Sequence, residues 1–99
     1  MKTKLIIHVK LVDELGNTIE IKMWQLSKPA KDKPHGFKYS LVFVVDGERV
    51  IGYDNAEGRQ DHRHIKGKEE FYRFVNLRKL TGDFYSDIKE YKKGKQGTL

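Results

Sequence analysis

The sequence contains no cysteine, few prolines and no long apolar run. Without cysteine the chain can form neither a disulfide framework nor a thiolate zinc site. Its longest apolar run, residues 41–45, is far shorter than the roughly 20 residues that span a bilayer. The first residues also lack the apolar segment and the cleavage site of a signal peptide. We therefore expect a cytoplasmic protein that has no membrane partner.

Positive charge is in excess, with 20 Lys and Arg against 14 Asp and Glu and a formal net charge of +6. Such an excess favours a polyanionic partner, either nucleic acid or an acidic protein. It is equally typical of a solubilising surface, or of the Lys- and Glu-rich composition of a heat-adapted protein. The charge therefore narrows the class of partner without identifying it.

The length of 99 residues is that of one domain. We expect residues 1–99 to form it, with residues 94–99 as a frayed end. A chain this short buries only about 60–65% of its unfolded surface. An active site would therefore be a shallow cleft, or would be completed by a second subunit.

Alternation of apolar and polar residues predicts strands along most of the chain. The five predicted strands are residues 5–12, 19–26, 37–45, 48–54 and, as a short fifth strand, 71–75. Asp46-Gly47 is a strong signal for a two-residue hairpin turn. The basic stretch 27–36 predicts a mobile loop in which Ala30 is the one buried residue.

Apolar residues then recur at helical spacing: Leu77, Leu80, Phe84, Ile88 and Tyr91. The predicted helix covers residues 77–93, with Asn76 as its N-cap and Gly94 as its C-cap glycine. The predicted fold class is therefore α+β, an antiparallel sheet of about five strands with one C-terminal amphipathic helix packed on one face. An open sheet has exposed edge strands at which a second copy of the chain or another protein can pair.

Polar and ionisable residues are concentrated in residues 52–64, which hold two of the four histidines. On extended chain His62 and His64 point to the same side, with Cα atoms about 6.5–7 Å apart. That spacing suits paired acid–base catalysis on a phosphodiester. One neutral imidazole removes the proton of a ribose 2′-hydroxyl, and a protonated one supplies the leaving 5′-oxygen.

Cations and an aromatic ring near the histidines predict further contacts with an RNA substrate. Arg63, Arg59 or Lys66 would stabilise charge on the phosphorane, since arginine matches phosphate with a planar fork of donors. On a strand, however, Arg63 would point away from both histidines. Tyr53 could stack on a base or donate its hydroxyl to a phosphate oxygen.

Two other interpretations of this segment stay open. The histidine pair with Asp54 or Asp61 would make a metal site of two nitrogens and one oxygen, although spacing alone fixes no third ligand. The segment also resembles an ordinary polar loop after a strand, because Asp-Asn and Glu-Gly pairs are common turn formers. His8 and His35 are isolated along the chain, and we expect both to be structural or solvated.

The order of residues in this segment resembles a known family. Gly52-Tyr53-Asp54-Asn55-Ala56, then Gly58, then Asp61-His62-Arg63-His64, is similar to the signature of the TumE-like toxins of type II toxin–antitoxin systems. The resemblance spans about residues 19–91, and the central signature is its specific part.

The resemblance implies a growth-inhibiting toxin that is held in check by a cognate antitoxin and that cleaves RNA without a metal or other cofactor. In that role His62 and His64 are the general base and acid, in either order. Asp54 orients one imidazole and fixes its tautomer. Asn55 either shapes the turn or touches the substrate.

Three functions from different classes follow. The first is a toxin endoribonuclease, with RNA and an antitoxin as partners and a homodimer left open. The second is a non-enzymatic nucleic-acid or ribosome-binding module that uses the basic loop, and it predicts steep salt dependence of binding without cleavage. The third is a metal-dependent nuclease or transferase, whose activity a chelator would abolish.

Overall fold

The computed structural model describes residues 3–55 and 58–96, with side chains up to Gly94. Within these residues six strands and one helix follow one another: β1 (Thr3–Val12), β2 (Thr18–Leu26), β3 (Phe37–Val45), β4 (Glu48–Asp54), β5 (His62–Ile65), β6 (Lys68–Phe71) and α1 (Leu77–Gln96). The strands form one antiparallel sheet in chain order. The predicted α+β class, with a C-terminal helix on an antiparallel sheet, is confirmed, with six strands where about five were expected.

The last strands differ from the prediction. The expected fifth strand at residues 71–75 is wrong, because residues 72–75 are not in a strand. Instead β5 and β6 form a hairpin around Lys66 and Gly67, both of which have positive φ, 49° and 82°. This two-residue turn matches the twist of the strands it joins. β6 is mostly charged and shows no alternation of apolar residues, so apolar periodicity did not predict it. The tight turn at Lys66 and Gly67 brings β6 alongside β5.

The helix begins as predicted and ends later. The backbone N–H of Lys79 donates to Oδ1 of Asn76 at 2.8 Å, which confirms Asn76 as the N-cap. The predicted end at residue 93 is wrong, since α1 continues to Gln96, and Gly94 therefore lies inside the helix. Residues 97–99 of the predicted frayed end lie outside the described residues. No helix in the described part of the chain is long and apolar enough to cross a bilayer.

The core lies between α1 and one face of the sheet. Leu80, Phe84 and Ile88 of the helix are buried against strands β2 to β4. The buried strand residues alternate along each strand: Ile19, Ile21 and Met23 in β2, Tyr39, Leu41 and Phe43 in β3, and Ile51 and Tyr53 in β4. The intervening residues point to the other face, which we call the open face and which carries Ser40, Gly52, Asp54, His62, His64 and Glu69.

The basic stretch 27–36, which its composition predicts to be a mobile loop, makes defined backbone and side-chain contacts. Ala30 and Lys33 form an isolated bridge, with hydrogen bonds between their backbones in both directions. Lys33 is 3% exposed and its Nζ lies 2.6 Å from Oδ2 of Asp32. The expectation that Ala30 is the one buried residue here is therefore wrong: Ala30 is only partly buried, and the buried residue is Lys33, whose charge is paired with Asp32.

Candidate functional site

The pairing of β4 with β5 brings the two central histidines together. Gly52 lies opposite His64, and Asp54 lies opposite His62. Residues opposite one another on antiparallel strands share a face, so both imidazoles and the carboxylate lie on the open face. The ring centroids of His62 and His64 are 5.1 Å apart, with an angle of 77° between the ring planes. The residues that the spacing suggested as a pair are therefore neighbours.

His62 is held by acceptors at both ring nitrogens. Its Nε2 lies 2.9 Å from Oδ1 of Asp54, and its Nδ1 lies 2.9 Å from the carbonyl oxygen of Gln60. The residue is 5% exposed, so these contacts stand in for most of its hydration. The two acceptors therefore fix the orientation of the His62 ring.

The surroundings of His64 shift its pKa. Burial lowers the pKa of His64, and the charge of Arg49 lowers it further. Its Nε2 lies 2.9 Å from Oε1 of Glu69. In the neutral ring this nitrogen carries the proton and donates to Glu69, so that Nδ1 has the lone pair. The surroundings of His64 therefore lower its pKa, and the lone pair on Nδ1 is left available.

Glu69 belongs to the site, although nothing in the sequence marked it. It lies opposite His64 across the β5–β6 hairpin, and its Oε1 is also 3.9 Å from Nε2 of His62. Its Oε2 lies 2.6 Å from Nη2 of Arg59, which lowers the pKa of the carboxyl. The hairpin turn between β5 and β6 brings Glu69 alongside the histidines. Because the apolar pattern did not predict β6, it could not predict the position of Glu69.

A metal ion could be held by part of this cluster. One ligand atom each from Asp54, His62 and His64 lie within 4.8 Å of one another. Asp61, the other carboxylate considered for such a site, is engaged elsewhere. It accepts a hydrogen bond from the Tyr39 hydroxyl at 2.7 Å and lies 2.9 Å from Nε2 of His35. The His35 ring also stacks on Phe74, with centroids 4.0 Å apart, as a structural histidine does.

Two of the expected site residues lie on the other face of the sheet. Tyr53 is fully buried beneath α1, and its hydroxyl donates to Asp87. Arg63 also points toward the helix, where its Nη2 lies 2.8 Å from Glu70 and its Nη1 lies 3.6 Å from Asp87. Nη1 of Arg63 also donates to the Tyr53 hydroxyl at 3.3 Å. The structure therefore separates both residues from the histidine pair.

The remaining expected residues divide between the two faces. Arg59 lies on the histidine side through its ion pair with Glu69. Lys66 occupies the β5–β6 turn, with Nζ 5.5 Å from the centroid of the Tyr91 ring on the helix. Asn55 is fully buried. Ala56, the next signature residue, lies outside the described residues.

The amide of Asn55 completes the backbone pairing at the start of β3. Its Oδ1 accepts from the backbone N–H of Tyr39 at 2.9 Å, and its Nδ2 donates to the carbonyl oxygen of Phe37 at 2.8 Å. The Asn55 amide therefore makes both of these hydrogen bonds with the backbone of β3. Asn55 holds the end of β4, and with it Asp54, against β3.

Comparison with known proteins identifies one family. The family model described as Toxin TumE matches residues 2–92. Curated relatives include a cardiolipin synthase of Geobacillus sp. (strain WCH70), which is 32% identical over 71 residues. That match covers 71% of this chain and 13% of the relative, so the chain spans a small part of the length of that protein. No solved structure matches the chain at a significant level.

Replacing Asn55 by alanine removes both amide hydrogen bonds and leaves two buried backbone groups of β3 without a partner. We expect Asn55→Ala to lower the free energy of unfolding by roughly 1–3 kcal/mol, measured by urea denaturation. Asn17→Ala, in the turn between β1 and β2, is the matched control, with an expected loss within about 0.5 kcal/mol. Equal stability of the two variants would contradict a structural role for Asn55.

Proposed function

Because the chain belongs to the TumE family of toxins, we propose that it is a metal-independent endoribonuclease that acts on RNA in the cytoplasm. A toxin of this kind works with a cognate antitoxin as its protein partner. The observation that supports the nuclease activity is the histidine pair on the open face, where two imidazoles are adjacent and the surroundings of one of them, His64, lower its pKa. Such a pair supplies the acid and the base that cleavage of RNA requires.

The environments of the two rings assign their roles in this proposal. His64, whose pKa is lowered, is the general base, and its Nδ1 removes the proton of the ribose 2′-hydroxyl. The 2′-oxygen then attacks phosphorus, and the bond from phosphorus to the 5′-oxygen breaks. His62 is the general acid: its Nε2–H, which lies beside Asp54 in the free protein, turns to the substrate and gives its proton to that leaving 5′-oxygen. The products are a 2′,3′-cyclic phosphate and a 5′-hydroxyl, with the proton positions of the two histidines exchanged.

Two carboxylates support this chemistry without touching the reacting atoms. Asp54 lies 2.9 Å from Nε2 of His62 and orients its ring. Glu69 lies 2.9 Å from Nε2 of His64, so it fixes the tautomer that leaves Nδ1 unprotonated. We do not assign Tyr53, Arg63 or Lys66 to the substrate, because their side chains lie toward the helix.

A metal-dependent nuclease is the second candidate, supported by the cluster of Asp54, His62 and His64. A histidine that ligates a metal commonly donates its other ring N–H to a backbone carbonyl, and Nδ1 of His62 faces the carbonyl of Gln60. In this alternative the carboxylate and the two imidazoles would hold a divalent transition metal, which would supply an activated water.

The test of the proposed activity is cleavage of total RNA, with and without EDTA, in the presence and absence of ribosomes. We expect the wild type to cleave RNA in EDTA, and His62→Ala or His64→Ala to lower the rate by about 10²–10⁴-fold, the usual contribution of a general acid or base. His8→Ala, a change of the same kind on edge strand β1, is the matched control and should cleave at the wild-type rate. Circular dichroism checks that each variant is folded.

Other outcomes of that assay separate the alternatives. Cleavage that EDTA abolishes and that added Zn²⁺ or Mn²⁺ restores would contradict the metal-free mechanism and favour the metal-dependent nuclease. Binding of RNA that weakens steeply with salt, without cleavage under any condition, would contradict an enzyme and favour a binding module.

For the antitoxin, the structure offers one long exposed edge. β1 is the outer strand of the sheet and ten residues long, whereas the opposite edge strand β6 has four residues, three of them charged. Large exposed apolar side chains are concentrated on β1, at Leu5, Ile6, Ile7, Leu11 and Val12. Lys4, His8 and Lys10 lie among them. We propose that the antitoxin adds a strand of alternating apolar and acidic residues to this edge.

Neutralisation of the toxin in growing bacteria tests this surface. We expect the double variant Ile7→Lys/Leu11→Lys to arrest growth like the wild type, but to escape neutralisation by the antitoxin encoded beside it. Leu15→Lys, which changes an exposed leucine in the β1–β2 turn, should still be neutralised. Full neutralisation of the double variant would contradict the proposal. So would light scattering that shows a dimer of the isolated wild type and a monomer of the variant, because a second copy would then cover β1.

A further inference from the structure

Gly52 leaves a gap on the open face beside His64. It lies between Val42 of β3 and His64 of β5. A Cβ atom placed on Gly52 would lie 3.1 Å from Cδ and 3.3 Å from Nε of Arg49. The side chain of Arg49 therefore runs across β4, through the space that any other residue at position 52 would fill. Gly52 leaves this space open, and an alanine here would require the Arg49 side chain to shift by a few tenths of an ångström. Space is the reason for the glycine, since its φ lies outside the left-handed region.

A bulge explains why Arg49 lies on this face. In an unbroken strand Arg49 would share the face of Ile51, which is buried beneath the helix. The register between β3 and β4 shifts after the pair Phe43–Ile51, and the next pair is Val44–Arg49. The shift turns Arg49 to the open face together with Val44. The same face carries the histidine pair.

The guanidinium of Arg49 is better placed to receive an anion than those of the two neighbouring arginines. Its Nη1 lies 3.9 Å from Oδ2 of Asp54, and its side chain is 43% exposed. Arg59 is paired with Glu69 at 2.6 Å. Arg63 is paired at 2.8 Å with Glu70, on the side of the helix. Arg49 thus combines a loose ion pair with a position near His64, whose pKa its charge lowers, and near Asp54, which contacts His62.

We propose that Arg49, lying across Gly52, forms with His62 and His64 an anion site that binds the phosphate group of a phosphodiester. This inference rests on the proposed function and deepens it, by assigning the cation that the reaction requires. The planar guanidinium donates two hydrogen bonds to the non-bridging oxygens of the phosphate. Gly52 is a positioning residue in this arrangement, because it acts only by leaving the path of Arg49 open.

Binding of inorganic phosphate tests the site without reference to cleavage. The probe is titrated at neutral pH while the ring C–H resonances of His62 and His64 are followed by NMR. We expect saturable shifts in the wild type and a loss of about tenfold or more in phosphate affinity in Arg49→Gln. Arg49→Lys should retain part of the affinity, since the charge remains and the planar fork is lost. Arg78→Gln, an exposed arginine on α1, makes the same change of charge and should bind like the wild type.

A double-mutant comparison tests the role of Gly52. Gly52→Ala displaces the Arg49 side chain, so it should weaken phosphate binding by itself and add nothing in the Gly52→Ala/Arg49→Gln variant. Additive losses would show that Gly52 acts independently of Arg49. Wild-type phosphate affinity in Arg49→Gln would overturn the anion site, even if the protein cleaves RNA. Binding that depends on Arg49 in a protein that cleaves no RNA would retain the anion site and contradict the nuclease.

Discussion

The pairing of β4 with β5 is the interaction on which the rest of the site depends. It sets Gly52 opposite His64 and Asp54 opposite His62. Side chains alternate along a strand, so a slip of one residue would turn both imidazoles toward the helix and bring Arg63 to the open face. The register is therefore the condition for any chemistry by the histidines, whether with or without a metal.

Contacts on the helix-facing side of β4 and β5 stabilise that register. Tyr53 is buried beneath α1 and donates to Asp87, and Arg63 reaches the same carboxylate from β5. Asn55 ties the end of β4 to the backbone of β3. These residues lie in the signature beside the histidines, and their contacts fix where the histidines point. The signature thus combines residues on the open face with residues that position them from the other side.

Sequence patterns were informative where apolar periodicity decides the structure. The first four strands, the N-cap of α1 and the shared side of the two histidines all follow from local periodicity and capping. The positions of Glu69 and Arg49 do not follow from such local patterns. Glu69 comes to His64 through a hairpin whose strand is charged, and Arg49 comes to the open face through a bulge that alternation cannot reveal. Tyr53 is placed by the core beneath the helix, which outweighs the polar character that suggested contact with a substrate. Arg63 lies on the same side, as strand alternation predicted.

The central claim is that two adjacent histidines form an acid–base pair in which the surroundings of His64 lower its pKa and make it the base. Nitrogen NMR of the His62 and His64 rings as a function of pH tests it most directly. The account predicts that His64 titrates below 6.5, because burial and Arg49 disfavour its charged form, and that it is neutral with its proton on Nε2 at pH 7. Cleavage should then persist as the pH falls below 6.5, until His64 takes up a proton. A His64 ring that is still protonated at pH 7 would contradict the account.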